Sequence, residues 1–280
     1  MTNNTQKVAV VTGAGGTLCS EMSRNLASQG IKVALLGRDI VKLEKVAQEI
    51  TAAGGIALSF STDVTSLEEV TATAGLVAEK LGVVSILING AGGNQPAAIT
   101  TTTEFTEEEL EESQSGMRGF FQVDMARFMD VIETNTMGTV IPSQVFGKVM
   151  AKNGGGSIIN IASMNSYRPL TKVAAYGMAK AGIANFTQWL AAYLAPANIR
   201  VNAIAPGFFL NDRSRKLLLN EDGSKSPRGA SIISHTPQRR FGEAPELVGC
   251  MNWLLQDESA GFVTGIVVPV DGGFLASAGV

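Results

Sequence analysis

The sequence predicts one α/β domain, a doubly wound parallel sheet of about seven strands with helices on both faces. Three observations carry that prediction. Short runs that are almost wholly apolar, such as Lys7–Thr12 (KVAVVT) and Val83–Asn89 (VVSILIN), have the composition of strands buried on both faces. Stretches with apolar or small residues at helical spacing separate these runs, which is the βαβ order of a parallel sheet. No linker and no repeat of fixed period interrupts the chain, and 280 residues suffice for one large core.

The elements follow in order. The first strand, Lys7–Thr12, leads into a helix over 18–29 that stops at Gly30, since glycine after the last periodic residue ends a helix. A strand at Lys32–Leu36 and a helix at 39–53 come next, closed by Gly54-Gly55. Ile56–Thr62 is the third strand, 66–81 the third helix, and Val83–Asn89 the fourth strand. The alternation breaks at 94–125, where a threonine run, an acidic run and a Gly/Phe stretch mark an insertion. Within it, Thr106-Glu107-Glu108-Glu109 has the spacing of a capping box and predicts a helical piece. A helix over 126–152, a strand at 157–162, a helix over 173–195 and a strand at 199–204 resume the pattern. An excursion of loop and helix over 206–240 precedes a helix at 244–256 and a last strand at 263–270.

Composition removes several function classes. With 22 basic and 25 acidic residues the formal charge is −3, whereas nucleic-acid binders carry a basic excess, so no nucleic-acid partner is expected. One histidine, His235, and two cysteines, Cys19 and Cys250, leave too few ligands for a zinc site, and no metal is expected. Two cysteines so far apart suggest no disulfide framework and favour a reducing cytoplasm. No charged start followed by an apolar stretch is visible, and no run of about 18 apolar residues, so neither a signal peptide nor a membrane span is expected. The mean hydropathy of +0.17 reflects many Ala, Val, Ile and Gly residues.

The first strand runs into Thr12-Gly13-Ala14-Gly15-Gly16-Thr17-Leu18. A glycine-rich turn between first strand and first helix lets backbone approach a pyrophosphate, which then sits on the helix N-terminus. Strand two ends in Gly37-Arg38-Asp39. An acidic residue there binds a ribose 2′-hydroxyl and an arginine accommodates a 2′-phosphate. Arg38 comes first, so the cofactor reading leans to NADP, while Asp39 keeps NAD open. Asp63 and Asn89-Gly90-Ala91-Gly92 lie at carboxyl ends of strands, where open α/β sheets bind ligands.

Tyr176 and Lys180 stand at i and i+4, on one face of a helix. A phenol near its ordinary pKa of about 10 is a poor base at neutral pH, and a nearby ammonium is expected to lower it. Such a phenol can exchange a proton with an alcohol or carbonyl oxygen while a nicotinamide exchanges hydride. Ser163, thirteen residues before Tyr176 at a strand end, can hydrogen-bond that oxygen. Asn135, taken alone, reads as a helical asparagine satisfying backbone groups.

These residues together resemble the short-chain dehydrogenase/reductase family. The match runs through the Thr12-Gly13 loop, Asp63, Asn89–Gly92, Asn135, Ser163, Tyr176 with Lys180, Pro206-Gly207 and the Pro269–Gly273 end. The resemblance implies a Rossmann domain and a catalytic tetrad of Asn135, Ser163, Tyr176 and Lys180. By it, Tyr176 is the acid/base, Ser163 holds the substrate oxygen, Lys180 binds the nicotinamide ribose and tunes Tyr176, and Asn135 organises a proton-relay water. It implies NAD(P)(H) held by Gly13, Gly15, Gly16, Thr17, Leu18, Arg38, Asp63, Val64, Asn89, Ala91, Gly92, Pro206 and Gly207 together with Tyr176 and Lys180. It also implies a homotetramer built on the 126–152 and 173–195 helices. Within the family the sequence also resembles the D-mannonate oxidoreductase (fructuronate reductase) branch, carried by GAGGTLCSEM at 13–22, SMNSYRPLTK at 163–172 and HTPQRRFGE at 235–243.

One departure stands out. The family loop carries glycines at positions matching 13, 17 and 19, and here Thr17 and Cys19 replace two of them. A Cβ at 17 narrows the backbone's approach to the pyrophosphate. Cys19 reads as a small packing residue under the first helix.

Charge is unevenly distributed. Residues 135–205 carry six basic and no acidic side chains, and 206–240 carry seven basic (Arg213, Arg215, Lys216, Lys225, Arg228, Arg239, Arg240) against three acidic. This favours a small anionic substrate, since arginine grips carboxylates, although a solvated face or a subunit contact would look the same. Asn94, Asn165, Arg168, Asn211 and Arg213 are the substrate candidates. A reductase of another polyol, gluconate or oxoacyl substrate, or a non-catalytic dinucleotide-binding protein, are the alternatives.

Overall fold

A computed structural model describes residues 6–111 and 116–277, with the side chains of Asp212 and Arg213 outside that description. One parallel sheet organises the chain. Its strands are β1 (Val8–Thr12), β2 (Lys32–Gly37), β3 (Ala57–Ser61), β4 (Val84–Asn89), β5 (Gly156–Ile161), β6 (Ile199–Pro206) and β7 (Val267–Val270). Their spatial order is β3-β2-β1-β4-β5-β6-β7, all parallel. The order reverses between β1 and β4, and such a switch point opens a crevice at the carboxyl ends of the strands.

Period-two alternation sends successive strand residues to opposite faces, and each face has its own core. Ala9 and Val11 of β1 meet α1 (Thr17–Ser28), α2 (Ile40–Ala52) and α8 (Pro245–Leu255) through residues such as Met22, Leu43 and Met251. Val8 and Val10 face α3 (Leu67–Lys80), α4 (Met125–Lys152) and α5 (Ala174–Leu194), where Val77, Phe146 and Leu190 pack. The short helices α6 (Asp212–Leu218) and α7 (Pro227–His235) form the excursion between β6 and α8, and α9 (Asp257–Ala260) follows α8.

A polar ladder crosses the second core. Asn89 Nδ2 donates to Ser143 Oγ (2.8 Å) and to Asn160 Oδ1 (2.9 Å), and Asn160 Nδ2 donates to Thr187 Oγ1 (2.9 Å). It joins β4 and β5 to α4 and α5 with four buried side chains. Buried polar groups need partners, so each rung fixes the next.

Two expectations are corrected. The capping box at Thr106 does not form: its hydroxyl donates to Glu108 Oε2 (3.2 Å), and Glu107–Leu110 is a single 3-10 turn. Glu109, which would have reached back, instead turns inward, is buried, and accepts from the Phe120 N–H (3.0 Å). The last strand begins at Val267 instead of 263, and the Asn202 side chain bonds residues 263 and 266 ahead of it. Asn202 Nδ2 donates to the Val263 carbonyl (3.0 Å) and its Oδ1 accepts from the Ile266 N–H (3.2 Å).

Candidate active site

The phosphate loop is shaped by two constraints at Gly13. Its φ is +66°, and a Cβ there would lie 2.9 Å from the Ala91 backbone. Thr12 Oγ1 accepts from the N–H groups of Gly90 (3.0 Å) and Ala91 (3.1 Å), tying the ends of β1 and β4 together. Gly16 caps α1 with no side-chain bond, and the first turn of α1 holds no acidic residue. Its N–H groups and positive dipole end thus face the crevice, a fit for a pyrophosphate.

The two missing family glycines are accommodated differently. Thr17 is exposed. Cys19 is buried, and its Sγ lies only 2.1 Å from where a Cβ on Gly90 would stand. The side-chain volume taken up at 19 is therefore vacated at 90. Burial pushes the Cys19 thiol up to about 12, against the pull of the Lys180 ammonium, so it stays a neutral packing group.

At the adenosine end, Arg38 is exposed at the end of β2. Asp39 caps α2, accepting from the Lys42 N–H (3.2 Å) and pairing with Lys42 Nζ (2.9 Å). Burial acts to raise the Asp63 carboxyl, but bonds from Thr65 and the Arg38 guanidinium outweigh it and leave the group below its ordinary value. Val64 packs on α4, 3.0 Å from where a Cβ on Gly138 would be. The Asn89 side chain is held in the ladder beneath the crevice. Pro206 ends β6, and the Gly207 N–H donates to the Val270 carbonyl (2.9 Å).

The catalytic candidates converge at the ends of β4 and β5. Lys180 is buried and its Nζ donates to the Ile161 carbonyl (2.7 Å). Asn135 is fully buried, accepts from the Gly93 N–H (3.2 Å) and donates to the carbonyls of Gly93 (2.8 Å) and Val131 (2.7 Å). Gly92, at φ +153°, passes between them: a Cβ there would meet Asn135 Oδ1 at 2.3 Å and Lys180 Nζ at 3.7 Å. Ser163 lies two residues beyond the end of β5 and caps a 3-10 turn, its Oγ accepting from the Asn165 N–H (3.2 Å). Tyr176 packs with Ala98 of the insertion and Val131 of α4.

The expected lowering of the Tyr176 phenol is not found. Burial raises it above its ordinary value, and the hydrogen bond with Ser163 only partly offsets this. The ammonium stands 5.5 Å from the ring centroid, drawn to the Ile161 carbonyl. Burial instead acts on Lys180 itself and holds it down at about 8, with Cys19 acting weakly the other way.

The substrate candidates are more scattered. Asn165 lies beside Ser163, but its Oδ1 closes the loop by accepting from the Leu170 N–H (2.9 Å). Asn94 accepts from the Gln95 N–H (3.0 Å), and Asn211 opens α6 by accepting from the Ser214 N–H (2.8 Å). Arg168 is exposed and donates to the Ser277 carbonyl (2.8 Å), and the Arg213 side chain is outside the described residues. Of the basic excursion, Arg240 is paired with Glu246 (2.6 Å). The insertion is pinned to the segment between Ser163 and Tyr176: the Thr100 N–H donates to the Lys172 carbonyl (3.1 Å) and Lys172 Nζ to the Thr101 carbonyl (2.6 Å). Sequence reasoning did not single out the Thr12 hydroxyl, the Gly93 backbone or the Ile161 carbonyl. Only Thr12, the last residue before the glycine turn, left a signal in the sequence.

A parallel sheet with a glycine-lined crevice at its switch point and a Ser–Tyr–Lys cluster beside it defines a dinucleotide-dependent oxidoreductase. The short chain dehydrogenase family model matches residues 7–222, and the chain belongs to that family. It is 48% identical over 274 residues, 98% of this chain and 96% of the relative, to the uncharacterized oxidoreductase UxuB of Bacillus subtilis. A Haemophilus influenzae structure with bound NAD, provisionally named a D-mannonate oxidoreductase, superposes with TM-score 0.92 at 42% identity, covering 99% of this chain and 98% of that one. A Beutenbergia cavernae structure with low-occupancy NADP, provisionally named an NAD(P)-dependent gluconate 5-dehydrogenase, gives TM-score 0.80 at 30% identity over 97% of both chains. The chain is thus an NAD(P)-dependent oxidoreductase of the short-chain type.

Gly90→Ala forces a Cβ against Cys19 Sγ and is expected to destabilise the fold by about 1–3 kcal/mol. Cys19→Gly in the same chain should recover most of that loss. Thermal unfolding of the single and double variants checks the pairing, and equal melting of both Gly90→Ala chains would refute it.

Proposed function

We propose that this enzyme transfers hydride between a nicotinamide and a hydroxy/keto sugar acid, with D-mannonate and D-fructuronate as the pair. The observation that carries the chemistry is the convergence of Ser163, Tyr176 and Lys180 beside the dinucleotide crevice. Likeness to the Haemophilus influenzae structure supports the substrate. The basic bias of 206–240 supports a carboxylate, with Arg240 set aside because Glu246 neutralises it.

The nicotinamide, when bound, gives or takes the hydride. The α1 N-terminus and the Gly13–Gly16 turn hold the pyrophosphate. Ser163 Oγ orients the substrate oxygen, and the Tyr176 hydroxyl donates a proton to it in reduction and takes one in oxidation. Lys180 holds the nicotinamide ribose and supports the proton on Tyr176. Asn135 fixes the 92–93 backbone that walls the lysine, and in the family scheme organises the relay water. Arg38, left open while Asp39 caps α2, gives a preference for NADP. A cytoplasmic location fits the two free thiols. No helix among the described residues is long and apolar enough to cross a membrane.

A homotetramer is also proposed. On α5, Phe186, Trp189 and Tyr193 stack in a row (centroids 6.2 and 5.1 Å apart), and Trp189 and Tyr193 remain over half exposed, at 57% and 67%. Sedimentation showing a monomer at micromolar concentration would exclude it.

The substrate reading is checked by a panel of keto-uronates and neutral ketoses with both reduced cofactors. D-Fructuronate is expected to turn over fastest, and turnover of a neutral ketose alone would overturn the carboxylate assignment. Arg38→Ala should weaken NADP about tenfold more than NAD in a binding titration, or about 1.4 kcal/mol.

Reduction needs Tyr176 as phenol and Lys180 as ammonium. Burial lowers the lysine to about 8 while the phenol stays above its ordinary value. The ammonium is therefore complete at lower pH, and the reduction rate should fall as pH rises through about 8. A rate that stays flat up to about pH 10 would contradict this assignment.

A further inference from the structure

Ser163 is bracketed by two hydrogen bonds that end on one residue. Two positions before it, the Ile161 carbonyl accepts from Lys180 Nζ (2.7 Å). Three positions after it, Ser166 Oγ donates to the Lys180 carbonyl (2.6 Å). Between them lies one 3-10 turn, Met164–Ser166, closed by the Ser166 N–H on the Ser163 carbonyl (2.8 Å). The turn is thus bound to α5 at both ends, one helical turn from Tyr176.

The Lys180 carbonyl can take this second donor. A carbonyl has two lone pairs, and within a helix one of them serves the N–H four residues on. A hydroxyl on the other costs the helix nothing and fixes the turn's distance from α5. Asn165 and Tyr167 do not substitute for Ser166. The Asn165 side chain closes the loop onto Leu170, and the Tyr167 hydroxyl reaches away to the Val267 carbonyl (2.6 Å).

We infer that Ser166 is a positioning residue for the reaction: through the Lys180 carbonyl it sets the approach of Ser163 Oγ to the Tyr176 hydroxyl. The inference rests on Tyr176 and Ser163 being the proton-handling pair. Among the groups around Tyr176, Ser163 is the one whose hydrogen bond favours the phenolate. Lys180 stands 5.5 Å from the ring, and the neighbours from the insertion and α4, Ala98, Val131 and Phe128, are uncharged. Letting the turn drift weakens the Ser163 bond, so the phenol deprotonates at higher pH.

The test compares Ser166→Ala and Ser166→Thr with the parent enzyme, in oxidation, across pH. Ser166→Ala is expected to lower kcat about tenfold, with dinucleotide KM within about twofold, because a small misplacement acts on the reacting geometry. The pH midpoint of its rising limb should move upward. Ser166→Thr keeps the hydroxyl and should recover kcat and midpoint. An alanine variant with unchanged kcat and midpoint and only a lower Tm would overturn the inference, as would a threonine variant no better than alanine. Tyr176→Phe separates the two levels of the claim. Loss of the limb there assigns it to Tyr176; a surviving limb removes the acid/base reading, and the kcat loss with its threonine rescue still decides the role of Ser166.

Discussion

The candidate active site depends on a buried ammonium. Lys180 sits in the core with its Nζ on the Ile161 carbonyl, in surroundings that penalise its charge enough to bring it down to about 8. A charge in such a place has to be held by groups that cannot move away. The carbonyl belongs to the last residue of β5, an inner strand of the sheet, and the lysine to α5, which packs on that sheet. Gly92 leaves the space the Asn135 amide occupies, and Asn135 anchors Gly93 through that backbone's N–H and carbonyl. The tyrosine and serine take their places from the same helix and the same strand end.

The polar ladder does comparable work one layer deeper. Asn89, Asn160, Ser143 and Thr187 lie within an otherwise apolar core, where unpaired polar groups are destabilising. Pairing across β4, β5, α4 and α5 leaves few alternative registers for those elements. Since α4 carries Asn135 and α5 carries Tyr176 and Lys180, the ladder sets how these two helices, and the candidate residues on them, meet the sheet. It also explains why Asn89, at a strand end that suggested cofactor contact, turns its side chain inward.

Much of this was legible in the sequence. Apolar runs and helical spacing located every strand and the long helices, because buried parallel strands leave a strong compositional mark. Tyr176 and Lys180 were legible because i, i+4 spacing is itself geometry. What escaped depends on packing between distant segments. The Cys19 thiol and the bare Gly90 are paired only once β4 lies over α1. The phenol's raised pKa follows from burial that spacing does not report, and spacing alone favoured the ammonium. The Thr106 capping box failed because Glu109 found a backbone N–H in the same insertion, a partner eleven residues away.

The insertion shares structure with the proposed proton-transfer centre. Ala98 rests against Tyr176, and Thr100 and Thr101 are stapled to Lys172, in the segment between the serine and the tyrosine. Substrate-facing loops in α/β enzymes are commonly treated as modules, exchangeable without touching the chemistry. The 94–125 insertion is instead wired into the wall around the Tyr176 phenol. Grafting another relative's loop here would also change how dry the tyrosine is, so under the proposed acid/base role a change of loop and a change of pH optimum come together in this scaffold.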